Sequence, residues 1–454
     1  MKRISKNFTE GTIWRQLLLF ALPFMASNAL QVLYSTIDMM VVGNYVGKAG
    51  LSAVSQSSQL MNFATMVCLG FSNAGQVLLA QAIGAGKRRE VNDIIGSLFT
   101  FISGIAIALS VLFLALQYPI LTLLKVPDDA FEMAREYLVI CAIGLIFTAG
   151  YNLVSAILRG MGDAKRPFLF IAIASIINLV LDLIFVGVFG WGVAGAAWAT
   201  VIGQAASFLF SLWYLYRHRV GFGFDFRLES FRPDRRYLRI FFSLGTPMAI
   251  QSGFINISML VVNAMINSLG TAASATFGVG VRIDDIINKI QHGIQYAAVP
   301  MISQNIGAGN TERAKKVVYN AWIFSAILTT VFLVLYITLG RELFMLFTDD
   351  VEVHAMSGEF ISAILYMFPA FAIMRGSGAF VQGIGNAKLG MVLSILDGVA
   401  LRIGLSWFFG IFLGFGFFGF VLGYGLAPYG YAIPSMIYFL AGRWKKRKAL
   451  AEKI

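Results

Sequence analysis

Two aspartates stand alone in long uncharged stretches. Asp38 is the sole charge in residues 16–47, and Asp182 is the sole charge in residues 167–216. Neither has a basic neighbour in sequence to neutralise it. A carboxylate set into an apolar helix is costly and is a functional candidate by default; it holds a proton or binds a cation. Asn178 lies four residues before Asp182, which is one face of a helix. Thr200, in the next apolar stretch, adds a hydroxyl. Two carboxylates, an amide and a hydroxyl supply hard oxygens, which suit H+ or an alkali cation such as Na+. The plainer alternative is a pair of protonated aspartates that only glue helices together.

A second set of charges lies further along the chain. Arg282, Asp284, Asp285 and Lys289 fall on one helical stretch. Arg282 with Asp285 and Asp285 with Lys289 have spacings that let them pair within a helix. This set reads either as a structural or cavity-lining cluster or as part of substrate binding or coupling. Asp397 and Arg402 are five residues apart and do not share an α-helical face well. Arg375, on the preceding helix, is the expected partner of Asp397.

Other chemistry is poorly served. The three histidines, His218, His292 and His354, form no metal-binding spacing. His218 and His354 are expected in solvent and His292 hydrogen-bonded within a helix. Cys68 and Cys141 lie in apolar stretches and match no metal pattern. The Gly-Xaa-Gly stretches at 160–162 and 383–385 follow no strand, and the chain has no P-loop lysine-serine pair. Neither a nucleotide site nor a Ser-His-Asp arrangement is expected, so the chain does not read as an enzyme or an ATP-driven pump. No cofactor or resident metal is implied beyond the coupling ion.

The elements that carry these residues follow from composition. Of 454 residues, 58% are hydrophobic and only 13% are charged, about half the usual share of roughly 25%. So apolar a chain cannot cover itself with polar surface in water, and it is neither a disordered chain nor a disulfide scaffold. Residues 49–86, 94–124, 240–281, 317–340 and 403–442 carry no charge at all. A helix needs roughly 20 apolar residues to cross a bilayer. Twelve crossings are expected, near 15–45, 51–83, 93–117, 136–158, 168–188, 193–216, 239–269, 274–306, 317–340, 359–384, 390–412 and 416–442.

The net charge of +12 is a matter of topology. Numbering the connections alternately puts 27 of the 35 basic residues on the side of the N-terminus, Lys2 and Arg3 among them, and only Lys48, Lys125, Arg135 and Arg341 on the other. By the positive-inside rule both termini are cytoplasmic, in a multi-pass protein of the cell membrane. The basic clusters then face anionic lipid, and nucleic acid is not an expected partner. The apolar sequence beginning at Leu17 is too long for a cleavable signal.

Two short patterns recur at one spacing. Gln81-Ala-Ile-Gly84-Ala-Gly86 returns as Gln304-Asn-Ile-Gly307-Ala-Gly309, and Gly160-Met-Gly162-Asp-Ala164-Lys165 returns as Gly383-Ile-Gly385-Asn-Ala387-Lys388, both 223 residues on. Pro23 and Pro247 are 224 apart. The unit holds six crossings, an even number, so both copies insert in one orientation. The expected fold is an all-α integral membrane protein of twelve transmembrane helices in two parallel pseudo-symmetric six-helix lobes. The expected domains are 1–216, a cytoplasmic linker 217–238, a second lobe 239–442 and a basic cytoplasmic tail 443–454.

With Pro23 and Asp38 on the first helix, Asn178 and Asp182 on the fifth, Thr200 on the sixth and both repeated patterns, the sequence resembles the multidrug and toxic compound extrusion (MATE) transporters over residues 12–442. The resemblance implies two lobes forming a V around a central cavity. It implies export of amphipathic, often cationic, organic compounds in exchange for H+ or Na+ by alternating access. Carried over by position, Asp38, Asn178, Asp182 and Thr200 form a cation site in the first lobe, and Pro23 is the bend point of helix one. One branch of the family carries acids on helices seven and ten. Here helix seven has Gln251 and Asn256 and helix ten carries Arg375, so the sequence is closer to the DinF-like and other bacterial branches. A single chain is expected to suffice as the working unit. The nearest rival is a flippase for lipid-linked saccharides from the same superfamily, which would line its cavity with several basic residues. A membrane enzyme would need a polar catalytic cluster, and a passive channel would not need acids in one half only.

Overall fold

The computed structural model describes residues 6–453; Lys2 and Arg3 of the basic count lie outside the described residues. Twelve long helical segments follow one another. α1 is Ile13–Tyr45, α2 Lys48–Gly84, α3 Arg88–Ala115, α4 Asp128–Gly160, α5 Lys165–Val188 and α6 Gly192–Arg217. α7 is Arg235–Asn267, α8 Thr271–Gly307, α9 Thr311–Met345 and α11 Ala387–Phe412. α10 is the pair Val351–Ile364 and Met367–Gly383, bent by 50°. α12 is the pair Gly416–Leu426 and Tyr429–Leu440.

Among the described residues nine of these helices are long and apolar enough to cross a bilayer, ten with the bent pair. The other two depart for visible reasons. α8 carries Arg282, Asp284, Asp285 and Lys289 at its middle, and α12 is interrupted before Pro428. Large apolar side chains point outward, Leu33, Ile176, Leu209, Leu260 and Ile337 among them. That arrangement suits a hydrocarbon solvent.

The repeated sequence patterns are helix endings. After α2, the Gly86 N–H donates to Ile83 O at 3.1 Å and the Lys87 N–H to Ala82 O at 3.0 Å. After α8, Gly309 donates to Ile306 O at 3.1 Å and Asn310 to Asn305 O at 2.8 Å. The same pair of bonds closes α4 at Gly162 and Asp163, and α10 at Gly385 and Asn386. This is the Schellman cap, whose C′ residue is left-handed. Gly162 and Gly385 have φ of 85° and 70°, a region that residues with a Cβ rarely enter. Asp163 then starts α5 by accepting the Arg166 N–H at 3.3 Å. The second glycine of each Gly-Xaa-Gly stretch is thus the turn residue that ends a helix.

Contacts divide the chain into two compact units, one chiefly Ala26–Ala249 and the other Phe8–Met25 with Ile250–Lys453. In the first unit, Val42, Val54, Leu138 and Ala197 are among the fully buried side chains of a core packed between helices. In the second, Val262, Phe277, Phe360, Phe420 and Tyr424 belong to a larger, aromatic core. α1 and α7 each hold one internal proline, Pro23 and Pro247, and run on as helix through it. In both, the change of unit falls within three residues of the proline.

Candidate cation site

α1 delivers Asp38, α5 delivers Asn178 and Asp182, and α6 delivers Thr200. α5 and α6 form a tight hairpin whose turn uses Gly190 and Gly192, both with positive φ. They approach closely at Gly203, where a Cβ would lie 3.0 Å from Ala174 O and 3.2 Å from the Asn178 Cβ. The missing side chain at 203 therefore lets Asn178 reach across. Its Nδ2 donates to Thr200 Oγ1 at 3.5 Å.

The two aspartates, 144 positions apart in sequence, meet. Their carboxyls face one another at hydrogen-bonding range. Asp182 is 1% exposed and Asn178 6%. Three of the four carboxyl oxygens, Asp38 Oδ1 and both of Asp182, are buried with no hydrogen-bond donor. Two bare carboxylates cannot stay so. Like charges about 4 Å apart repel by about 4 kcal/mol at an effective dielectric of about 20, and each buried charge costs more again without a donor. A shared proton or a bound cation removes both penalties.

Side chains that sequence reasoning missed complete the surroundings. Tyr34, Tyr137 and Cys141 stand within electrostatic reach of Asp38. The Tyr137 hydroxyl accepts from Ser58 Oγ at 3.4 Å. Tyr137 and Cys141 sit one turn apart on α4, and nothing in the sequence sets them apart from core residues. The donors gathered here are two carboxylates, an amide and a hydroxyl, hard oxygens of the kind that suit H+ or an alkali cation. α5 also widens at this point. From Leu183 to Val188 it is a π-helix, beginning one residue after Asp182. Such widenings occur often at functional sites.

The charges of the second unit are arranged differently from expectation. Asp397 and Arg402 do share a face: Arg402 Nη2 donates to Asp397 Oδ1 at 3.0 Å. The helix from Leu396 to Ile403 is a π-helix, and its i→i+5 repeat brings residues five apart into line. Arg375 does not take Asp397 as an ion-pair partner. It is fully buried, donates to His292 Nε2 at 2.9 Å and to Asn288, and stacks its guanidinium over Phe371. His292 is thus bonded across helices. Asp285 pairs with Lys289 at 2.8 Å, and Arg282 is exposed on the same helix. Asp284 points inward and accepts from Tyr336 Oη at 2.7 Å. His218 and His354 are half-buried and not in open solvent; His218 Nδ1 lies 3.0 Å from Tyr214 O.

A duplicated bundle of apolar helices with acids converging inside one half defines a membrane transporter. The MatE family model matches residues 23–184 and again residues 247–408, and the chain belongs to that family. It is 30% identical to the probable multidrug resistance protein YpnP of Bacillus subtilis, over 98% of this chain and 99% of the relative. It is also similar to a MATE crystal structure solved with MaL6, at TM-score 0.90 and 22% identity over 100% of this chain and 99% of that one. A MOP superfamily transporter from Pyrococcus furiosus, described as having a binding pocket of reverse polarity that suggests a different function, matches at TM-score 0.91 and 22% identity over 98% and 99%.

Proposed function

We propose that this protein is a secondary active exporter of amphipathic, often cationic, organic compounds, working as a single chain in the cell membrane with both termini cytoplasmic. The observation that carries the proposal is the facing pair Asp38 and Asp182, with three buried oxygens that lack a donor. A proton or Na+ entering from outside neutralises the pair, and organic substrate and cation favour different conformations. Each shifts the equilibrium only by its difference in affinity between states. The membrane potential adds about 2.3 kcal/mol per charge per about 100 mV. Asn178 and Thr200 orient the seat, and Pro23, with no N–H to close its turn, is the point at which α1 would bend in passing from one conformation to the other. The probable multidrug resistance relative supports the substrate class.

The alternative, a flippase for lipid-linked saccharides, needs free basic side chains at membrane depth. Of the basic side chains at membrane depth, Arg402 is tied to Asp397, Arg375 to His292 and Asn288 and Lys289 to Asp285, with Arg282 exposed on α8, which supports export. The test is gradient-driven efflux in everted vesicles. Asp38→Asn and Asp182→Asn should each abolish it at wild-type protein levels; undiminished efflux in both variants would overturn the proposal.

A further inference from the structure

The two halves pair residue by residue, which allows the cation site to be traced into the second half. The helix ends at Gly162 and Gly385 are 223 residues apart, whereas the next turn, at Gly190 and Gly414, is 224 apart. α11 therefore contains one extra residue. The π-helical stretch Leu396–Ile403 absorbs it, since α5 has no widening before Leu183. Past that stretch Asp182 corresponds to Ser406 and Thr200 to Tyr424; inside it, one turn before Ser406, Arg402 stands where Asn178 stands relative to Asp182. The contacts agree: Asn178 reaches Thr200, and the Arg402 guanidinium lies over the Tyr424 ring, 5.2 Å from its centroid. Asp38 corresponds to a valine, Val261 or Val262 at either spacing.

The counterpart of the site has thus lost both acids and gained a guanidinium. Arg402 is 7% exposed and Asp397 1%. Arg402 bonds Asp397 at 3.0 Å and Met259 Sδ at 3.3 Å, while Ser406 turns its hydroxyl to Phe420 O at 3.1 Å. We propose that Arg402 is a built-in cation. Its tethered charge fills the second half's copy of the seat, so the chain exchanges cation at the first half alone. Removing that charge while leaving Asp397 opens a second seat. This rests on reading Asp38 and Asp182 as the working seat.

The experiment follows the melting temperature of the purified full-length chain in detergent, against Na+ at fixed alkaline pH and against pH without Na+. Besides Asp397 and Arg402, the titratable groups around the proposed seat include Arg375 and Tyr431 on neighbouring helices, Tyr424, Asp285, and Asp284 with Tyr336. Asp38→Asn with Asp182→Asn should remove the wild-type response to both cations. Adding Arg402→Gln should restore a response to at least one, and adding Asp397→Asn should remove it again, whereas Arg402→Lys in place of Arg402→Gln should restore nothing. A triple variant that stays insensitive to both cations overturns the built-in cation. So does a cation response in the doubly neutralised chain that depends on Asp397 while Arg402 is intact. Should Arg402→Gln not fold, that second comparison still decides. The first-half reading fails separately, if the doubly neutralised chain keeps the full wild-type response.

Discussion

Asp38 and Asp182 show why a buried residue must be judged by what surrounds it. Each is an isolated charge in sequence, but together they form a facing pair whose buried oxygens lack donors. The seat depends on a residue with no side chain. Gly203 sits where a Cβ would press on the Ala174 carbonyl and the Asn178 Cβ at 3.0 and 3.2 Å. Gly203→Ala should lower stability by about 1–3 kcal/mol through overpacking and, by displacing Asn178, weaken protection of the fold by cation. Melting curves with and without cation measure both; an unchanged cation response would show that Asn178 plays no part. The two aspartates and their hard-oxygen neighbours were legible in the sequence because a lone charge stands out against apolar residues. Tyr137 was not, since a tyrosine in an apolar helix looks like core until its contacts are known.

At the scale of elements, the positions of the helices were legible because charge-free runs and basic connections mark them directly. What the pattern could not show was local widening. Asp397 and Arg402 look mismatched by the 3.6-residue repeat and are aligned by a π-helix. The connection between α6 and α7 is tied down by hydrogen bonds that spacing alone does not show. Asp225 donates its N–H to Asn92 Oδ1 at 3.1 Å, Asn92 Nδ2 donates to Ser230 Oγ at 3.1 Å, and Ser230 Oγ donates to Asp225 Oδ1 at 2.6 Å. The Ser230 hydroxyl and the Arg227 N–H hold the Asp225 carboxyl below its ordinary value. A lowered value means that the contribution is complete above the ordinary aspartate range of about 4 and is lost as pH falls through the lower, folded value. Hydrogen exchange, corrected for intrinsic rate, should find the amides of Asp225 and Arg227 protected at neutral pH and released only below that range. Asp225→Asn should abolish the pH dependence; protection that ignores pH throughout would contradict the arrangement.

For the whole molecule, duplication is the ordering fact. Matching helix caps 223 residues apart, paired prolines and two family matches of equal length describe one six-helix unit used twice. The copies have since diverged in charge. The first keeps acids with no counterion, and the second neutralises its carboxylate Asp397 with arginine. Under the proposed function, the first half alone takes the ion. The division was only half visible beforehand, because sequence spacing alone did not reveal that Arg402 occupies the counterpart of Asn178.

In the proposed function a small cation at the aspartate pair drives export. The direct measurement uses purified protein in proteoliposomes, with a pH gradient and a Na+ gradient imposed one at a time, and follows movement of an amphipathic cationic dye. Wild-type protein should move dye against its gradient under at least one of the two, and Asp182→Asn should allow no more than passive equilibration under either. Uphill movement by Asp182→Asn equal to wild type, or no response of wild type to either gradient, would contradict the account.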